Sequence, residues 1–439
     1  MSANSRICLA TAFFVCGLLI SSLAIAQETA TPETWVKANI KPLAKLYLHF
    51  HQNPELSFEE KETAARLGKE LSDIGATVTQ NIGGHGVVGI LENGEGPTVM
   101  VRTDLDALPV IEQTNLPYAS KVKVTDADGK TVGVMHACGH DVHMTTLVGV
   151  ARFMGKHKDQ WSGRLMFIGQ PAEERGSGAR AMLKDGLFEK FKKPDFALAL
   201  HCNSTFASGK ISIRPGYAMA NVDSVDVTLF GRGGHGAYPH TTVDPIVQAA
   251  KFIMDVQTLV SREVKPIEAA VVTVGSIHAG TKHNIISDSC HLQLTVRSYS
   301  DEVRKLLIEG IKRKAKAAAM SAGGKDPEIK VSEGTPSLSN DEELATKMAE
   351  LFKNKIGADN VIVAEPGMGG EDFSEYGRAG VPSLMYFLGV IEQKRLDRFK
   401  EMGITPPSLH SNNFYPDIER SIETGVITMT GAALELLKK

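Results

Sequence analysis

The sequence predicts an α/β protein of two domains, one inserted into the other, and three observations lead there. At 439 residues the chain is too long for a single small core. Its first half alternates strand-like apolar runs with helical segments, the pattern of a sheet covered by helices. From about Ala218 the texture changes to alternating strands and two amphipathic helices, which describe a compact α+β unit of their own. Near residues 334–339 the chain returns to the first domain. The expected division is therefore 27–217, 218–333 and 334–439, after a leader at 1–26.

Each element follows from local pattern. Residues 33–71 read as helical, broken at His51-Gln-Asn-Pro54-Glu55, and Ser57-Phe-Glu-Glu60 has the spacing of a capping box opening the second helix. Strand patterns cover 76–80, 87–91 and 98–102, with Asp104 and Asp106 following the last at once. An Asp/Gly turn around 126–129 leads to MHACGHDVH at 135–143, and 144–154 is helical. Strands at 164–168 and 196–200 end near Glu173, Glu174 and His201. In open α/β sheets ligands gather at the carboxyl ends of strands, which is the reason to place Asp106, Glu173, Glu174 and His201 in one site. The inserted unit reads as strands at 222–230, 269–276, 290–298 and 328–331 with helices at 243–260 and 301–320. The returning segment reads as a helix at 341–353, a loop at 367–373, a strand at 382–387, His410 in a Ser/Asn-rich loop, and a final helix.

Composition narrows the function class. Net charge is −3, with no basic tract, so nucleic acid is not the expected partner. Arg6, an apolar run at 7–19, two serines and Ala24-Ile25-Ala26 form the n-region, h-region and A-x-A site of a signal peptide. Export to the periplasm or beyond is expected, with no stable membrane insertion after cleavage. An uncleaved anchor is the rival, since 7–26 is about long enough to span a bilayer. Cys8 and Cys16 leave with the leader, and Cys138, Cys202 and Cys290 remain, an odd number that requires at least one free or metal-bound thiol. Cys202 and Cys290 read as buried thiols, with pairing between them as the alternative.

The 135–143 segment carries the chemistry. Cys138 and His140 flank Gly139 and can converge on one point, and thiolate with imidazole suits a borderline divalent ion such as zinc. With Glu174, His201 and His410 there are five candidate donors, too many for one tetrahedral ion but suited to two adjacent ions with a bridging solvent. Neighbours leave an extended chain on opposite sides, so of Glu173 and Glu174 one ligates and the other can act as general base. Polarising a carbonyl beside an activated water is hydrolytic chemistry. Cys138 as a thiol nucleophile with His140 as base is a rival from another class. His143, one turn from His140, reads as support for the ligands. His49, His51, His85, His136, His157, His240, His278, His283 and His291 read as satisfied structural histidines. Glu371 and Asp372 read as a helix N-terminus, with support of the ligands as the alternative.

Taken in order, HQNPELSFEE, RTDLDALP, MHACGHDVH, GQPAEERGSGARAM, ALHC, GRGGHGAYPH, HNIISD, GGEDFSEY and SLHSNNF resemble the amidohydrolase/aminoacylase branch of the M20 metallopeptidase family, across essentially the whole mature chain. The resemblance implies a mixed-sheet di-metal hydrolase domain with an inserted lid and dimerisation domain. It implies metal ligands Cys138, His140, Glu174, His201 and His410, with Cys138 between the ions. Glu173 falls at the general-base position, and Asp106 where an aspartate orients a ligand imidazole. His235 matches a lid histidine that binds the scissile carbonyl or its oxyanion, often across a dimer. Asn284 and Arg297 match residues near the acyl or carboxylate end of the substrate. Asp104 stands where peptidase branches carry a histidine ligand, a departure that fits the use of Cys138. The implied function is metal-dependent hydrolysis of N-acyl amino acids of the hippurate kind, with two divalent ions (Zn, Mn, Co or Ni) per subunit and a homodimer formed through the lid. Alternatives are a dipeptidase or carboxypeptidase of the same fold, and a binding homologue without turnover. Acyl group, amino acid and native metal stay open.

Overall fold

The computed structural model describes residues 30–125 and 129–439; the leader expected at 1–26 and residues 126–128 of the expected turn lie outside them. The first helix, Pro32–Gln52, is capped by Thr31 in a reciprocal box with Thr34. The second, Lys61–Asp73, corrects an expectation: its N-cap is Glu60, which makes no side-chain capping bond. The Ser57 hydroxyl instead donates to Asp106 Oδ2 at 2.6 Å, and Glu60 Oε1 accepts the N–H groups of Phe58 and Ala172. Tertiary partners have drawn off both side chains of the expected box.

The larger sheet is mixed and has eight strands, in the order Thr77–Ile82, Gly86–Asn93, Gly163–Gln170, Thr98–Asp104, Phe196–Ala207, Ser383–Ile391, Ile211–Ser212 and Val361–Ile362. Thr98–Asp104 runs parallel to both its neighbours, and Ser383–Ile391 runs parallel to Phe196–Ala207. Side-chain alternation divides the strands between two cores. Val99, Val101, Leu165, Phe167 and Leu198 face the helices Pro32–Gln52, His140–Lys156 and Ile418–Leu436, whereas Met100, Met166, Ile168, Ala197 and Ala199 face Phe373 and Tyr376. A sheet buried on both faces explains why its strands read as near-continuous apolar runs.

One strand is longer than its sequence pattern. Phe196–Ala207 continues past His201, so His201 lies within a strand and not at its end. Pairing of His201 with Phe387, Cys202 with Leu388 and Asn203 with Gly389 extends it, and that partner is remote in sequence.

The smaller sheet is antiparallel throughout, in the order Ala270–Ala279, Ser289–Ser298, Asn221–Phe230, Glu328–Glu333. Helices Pro245–Thr258, capped by Asp244, and Asp301–Ser321, capped by Ser300, pack on it around a separate core of Val225, Val227, Phe252, Leu292, Leu294 and Leu307. The chain crosses between the two units in a two-stranded ribbon, Gly216–Met219 against Leu338–Asn340, inside which the expected division at 217/218 falls.

Candidate metal and catalytic site

Gly139 sets the local geometry of the Cys138–His140 pair. It sits at φ +83° as N-cap of His140–Lys156, and a Cβ there would lie 2.8 Å from Cys202 Sγ. The helix therefore starts at His140, four residues earlier than expected, and Cys138 occupies the turn before it. Cys138 Sγ lies 3.5 Å from His201 Nε2 and 3.3 Å from His410 Nε2. His410, at φ +67°, is held there by its N–H donating to Ala137 O, and its Nε2 is 3.5 Å from Glu174 Oε2. His140 Nε2 stands 3.8 Å from Glu174 Oε1 and 3.9 Å from Glu173 Oε2. All five expected donors are thus brought together. They form two overlapping groups, Cys138/His140/His201 and Cys138/Glu174/His410, that share the thiol.

Glu173 and Glu174 reach this point in an unexpected way. They form the 3-10 turn Glu173–Arg175, entered through Ala172 at φ +49°, and not an extended segment. Side chains about 120° apart in such a turn can lean toward a common point, as neighbours in a strand cannot. Three hydrogen bonds pin the turn: Glu173 N and Glu174 N donate to the two oxygens of Asp106 at 3.1 and 3.0 Å, and Ala172 N donates to Glu60. Asp106 also touches a candidate donor's imidazole, but through its carbonyl, which accepts from His140 Nδ1 at 2.7 Å; its nearer carboxylate oxygen is 3.5 Å away. His201 Nδ1 likewise donates to Cys202 O. Both imidazoles are thereby set with a proton on Nδ1 and with Nε2 aimed at the cluster.

Beneath the donors lies a layer that local pattern did not reveal. Arg102, fully buried, donates to Asp104 Oδ2 at 2.7 Å, Gln170 Oε1 at 3.0 Å, Glu371 Oε1 at 3.0 Å and Asp372 Oδ1 at 3.1 Å. Asp104 takes His143 Nδ1 on its other oxygen, and His143 Nε2 accepts the N–H of Cys202, so neither ring nitrogen of His143 is left for a metal. Glu371 and Asp372 precede a five-residue helix, Ser374–Arg378, but their carboxylates serve Arg102. His51 is satisfied, as expected: Asp141 at 2.7 Å and Glu112 at 3.3 Å hold it, and these carboxylates outweigh burial and raise its pKa to about 9. His136 departs from expectation. Both its ring nitrogens are buried without a hydrogen-bond partner, and burial lowers its pKa to about 4. Cys138, Cys202 and Cys290 are all free and buried.

The donor set fits divalent cations. His140 Nε2 and Glu174 Oε1 face each other, buried and unpartnered. Burial, with Glu371 and Asp372 close by, pushes the Glu173 carboxyl well up; burial raises Glu174 to about 7 and pushes the Cys138 thiol up. An unpartnered imidazole nitrogen, crowded carboxylates and a buried thiol are what a cation in their midst would satisfy.

Cys138, Glu173, Glu174, His201 and His410 open onto a cavity of about 610 Å³ whose opposite wall comes from the smaller sheet and the ribbon, with Val222, Ser224 and Arg297. Arg297 lines the same cavity as the donors. His235 and Asn284 do not line this cavity. They meet each other on an exposed ribbon, Gly234–His235 against Ile285–Ile286, where Gly236 N donates to Asn284 O. Among the described residues no helix is long and apolar enough to cross a membrane.

Comparison with known proteins agrees with this geometry. Residues 100–401 match the model of peptidase family M20/M25/M40. The chain is 39% identical over 334 residues to hippurate hydrolase of Campylobacter jejuni, covering 75% of this chain and 83% of that protein. It is 36% identical over 351 residues to N-acetyl-L-cysteine deacetylase of Bacillus subtilis, covering 80% of each. The crystal structure of the Bacillus subtilis YXEP protein, described as a dinuclear metal-binding peptidase, superposes with a TM-score of 0.75 at 29% identity, over 91% of this chain and 99% of that one.

Proposed function

The chain belongs to peptidase family M20/M25/M40 and is a metallo-amidohydrolase acting on amide bonds, and from that premise we propose that it hydrolyses N-acyl amino acids with two divalent ions held by Cys138, His140, Glu174, His201 and His410. The observation that carries this reading is the pair of donor groups sharing Cys138, with Glu173 beside them. Divalent ions at those positions supply Lewis-acid polarisation of the amide carbonyl and bring the pKa of a water near neutrality. Glu173 takes the proton of that water as it attacks, then hands the proton to the nitrogen as the C–N bond breaks. Arg297, on the facing wall, meets the substrate carboxylate.

The thiol-nucleophile reading fares worse. Burial and the carboxylates of Glu174, Glu173 and Asp104 push the Cys138 thiol up, the opposite of the lowered pKa of a nucleophilic cysteine. Chelation separates the two readings. Stripping metal from the purified enzyme is expected to abolish hydrolysis of N-acyl amino acids, and adding back Zn, Mn, Co or Ni to restore it at about two ions per chain by elemental analysis. Full activity in metal-free protein would sink the proposal.

The position of His235 supports a dimer built through the inserted unit. The exposed apolar residues Ile246, Val247 and Met254 lie on one helix of that unit, and Ile277 lies on its edge strand Ala270–Ala279. In such a dimer His235 of the partner subunit completes each site. Glu173→Ala and His235→Ala are each expected to be inactive alone. Unfolded together and refolded, they recover roughly a quarter of wild-type activity, the statistical yield of one intact site per mixed dimer. A monomer by sedimentation, or no recovery on mixing, would remove this arrangement.

A further inference from the structure

Glu60 sits where local rules would not put it. It is the N-cap of Lys61–Asp73 yet makes no side-chain capping bond. Its side chain is fully buried, and Oε2 has no hydrogen-bond partner. Departures of this kind persist where the structure gains something else by them. The other oxygen shows the gain. Glu60 Oε1 accepts the N–H of Phe58 and the N–H of Ala172, each at 2.8 Å. Both residues are left-handed, at φ +68° and +49°. Among the described residues six non-glycine residues take a positive φ. Setting aside Asn81, Asn115 and His410, whose residue types enter that region more readily, Phe58, Ala172 and Lys192 remain. Two of those three are held by the same carboxylate oxygen.

Ala172 is the residue through which the chain leaves the strand Gly163–Gln170 and enters the turn Glu173–Arg175. Asp106 holds the N–H groups of Glu173 and Glu174, and Glu60 holds that of Ala172. The dihedrals of Ala172 set the direction in which the next side chain leaves the backbone, and that side chain is Glu173. An alanine gains energy by leaving the left-handed region. Such a rotation would swing the Glu173 carboxylate away from His140 Nε2, which it now faces at 3.9 Å. We propose that Glu60 is a positioning residue for the reaction: its reach holds Ala172 left-handed and so keeps Glu173 aimed at the donors. Glu60 acts through Glu173 and touches no substrate. What counts is the length of the side chain and an acceptor at its tip, not its charge. Burial raises its pKa to about 7, so an uncharged amide in its place carries little penalty. This inference rests on the function proposed above, with Glu173 as the base.

Variants of the metal-loaded enzyme, assayed on a panel of N-acyl amino acids, test this. Glu60→Asp keeps the carboxylate but withdraws it by a methylene. Its kcat is expected to fall by about ten- to a hundredfold, the scale of an ångström of misplacement, with KM and metal content as in the wild type. Glu60→Gln keeps the reach and an acceptor oxygen but loses the charge, and its kcat is expected to stay close to wild type. Ala172→Gly removes the penalty on the left-handed conformation. Added to Glu60→Asp, it is expected to recover part of the lost kcat. A purely structural Glu60 would lower the melting temperature and leave kcat per metal-loaded site unchanged, which overturns the proposal. So does the reverse order, with Glu60→Asp active and Glu60→Gln impaired, since charge and not reach would then be needed. Loss of metal along with activity overturns it too, because the effect would then fall on a ligand and not on Glu173. Should Glu60→Asp not fold, Glu60→Gln decides alone: wild-type kcat upholds reach over charge, and a fall of about tenfold or more refutes it. Failure of the wild-type enzyme to hydrolyse any of the panel would strike the proposed function itself. Wild-type kcat in Glu60→Asp, with Glu173→Ala inactive, strikes this inference alone.

Discussion

Glu173→Ala is expected to lower kcat by about two to four powers of ten while the protein keeps its metal, because a positioned general base contributes on that scale and a ligand does not behave so. Geometry separates Glu173 from the ligands around it. Both carboxylates stand near His140 Nε2, at 3.9 and 3.8 Å, but of the two only Glu174 also lies 3.5 Å from His410 Nε2. The turn that carries Glu173 does not depend on its side chain, since Asp106 and Glu60 hold the backbone N–H groups. The variant should therefore fold, bind as much metal by elemental analysis as the wild type, and change KM little. Wild-type turnover in the variant would remove Glu173 as the base, and loss of metal would make it a ligand.

Arg102→Met carries the largest stability effect, an expected loss of about 3–5 kcal/mol, the usual cost of deleting one partner from a buried ion cluster. The guanidinium is the fully buried cation among Asp104, Glu371 and Asp372, and its side chain bridges the strand Thr98–Asp104 to the returning C-terminal segment. Without it these carboxylates must take up protons or draw in water, and Asp104 loses one of the two contacts that orient it toward His143. Urea unfolding measures the loss. Adding Glu371→Gln and Asp372→Asn to the Arg102 variant should recover part of it, because the stranded charges are then gone. A loss below about 1 kcal/mol would mean that the cluster is hydrated and contributes little.

Most of the candidate donors were legible because they are chemically specific and locally marked. Cys138 and His140 stand two apart around a glycine, and Glu174 and His201 each follow a strand-like run, whereas His410 sits in a Ser/Asn-rich loop and is singled out by the family resemblance. The inserted unit was legible for another reason: its strands alternate with period two and its helices with period 3.6, and both periods survive in the structure. Other features stayed hidden where a side chain's partner is distant. Ser57 and Glu60 have the spacing of a cap, but Asp106 and Ala172 claim them. His51 and His136 look alike in sequence, yet one is clasped by two carboxylates and the other has no partner.

By itself the sequence determined the α/β class, the inserted α+β unit, the five donors and the neighbouring pair of glutamates, since residue type and periodicity are local properties. The tertiary structure decided how those parts act. Only folding turns Glu173 and Glu174 toward one point through a 3-10 turn, buries Arg102 against residues 269 and 270 positions away, and brings Glu60 to the backbone of Ala172. Each of these depends on groups far apart in the chain that meet only once the sheet has formed, and no local pattern of apolar and polar residues records such a meeting.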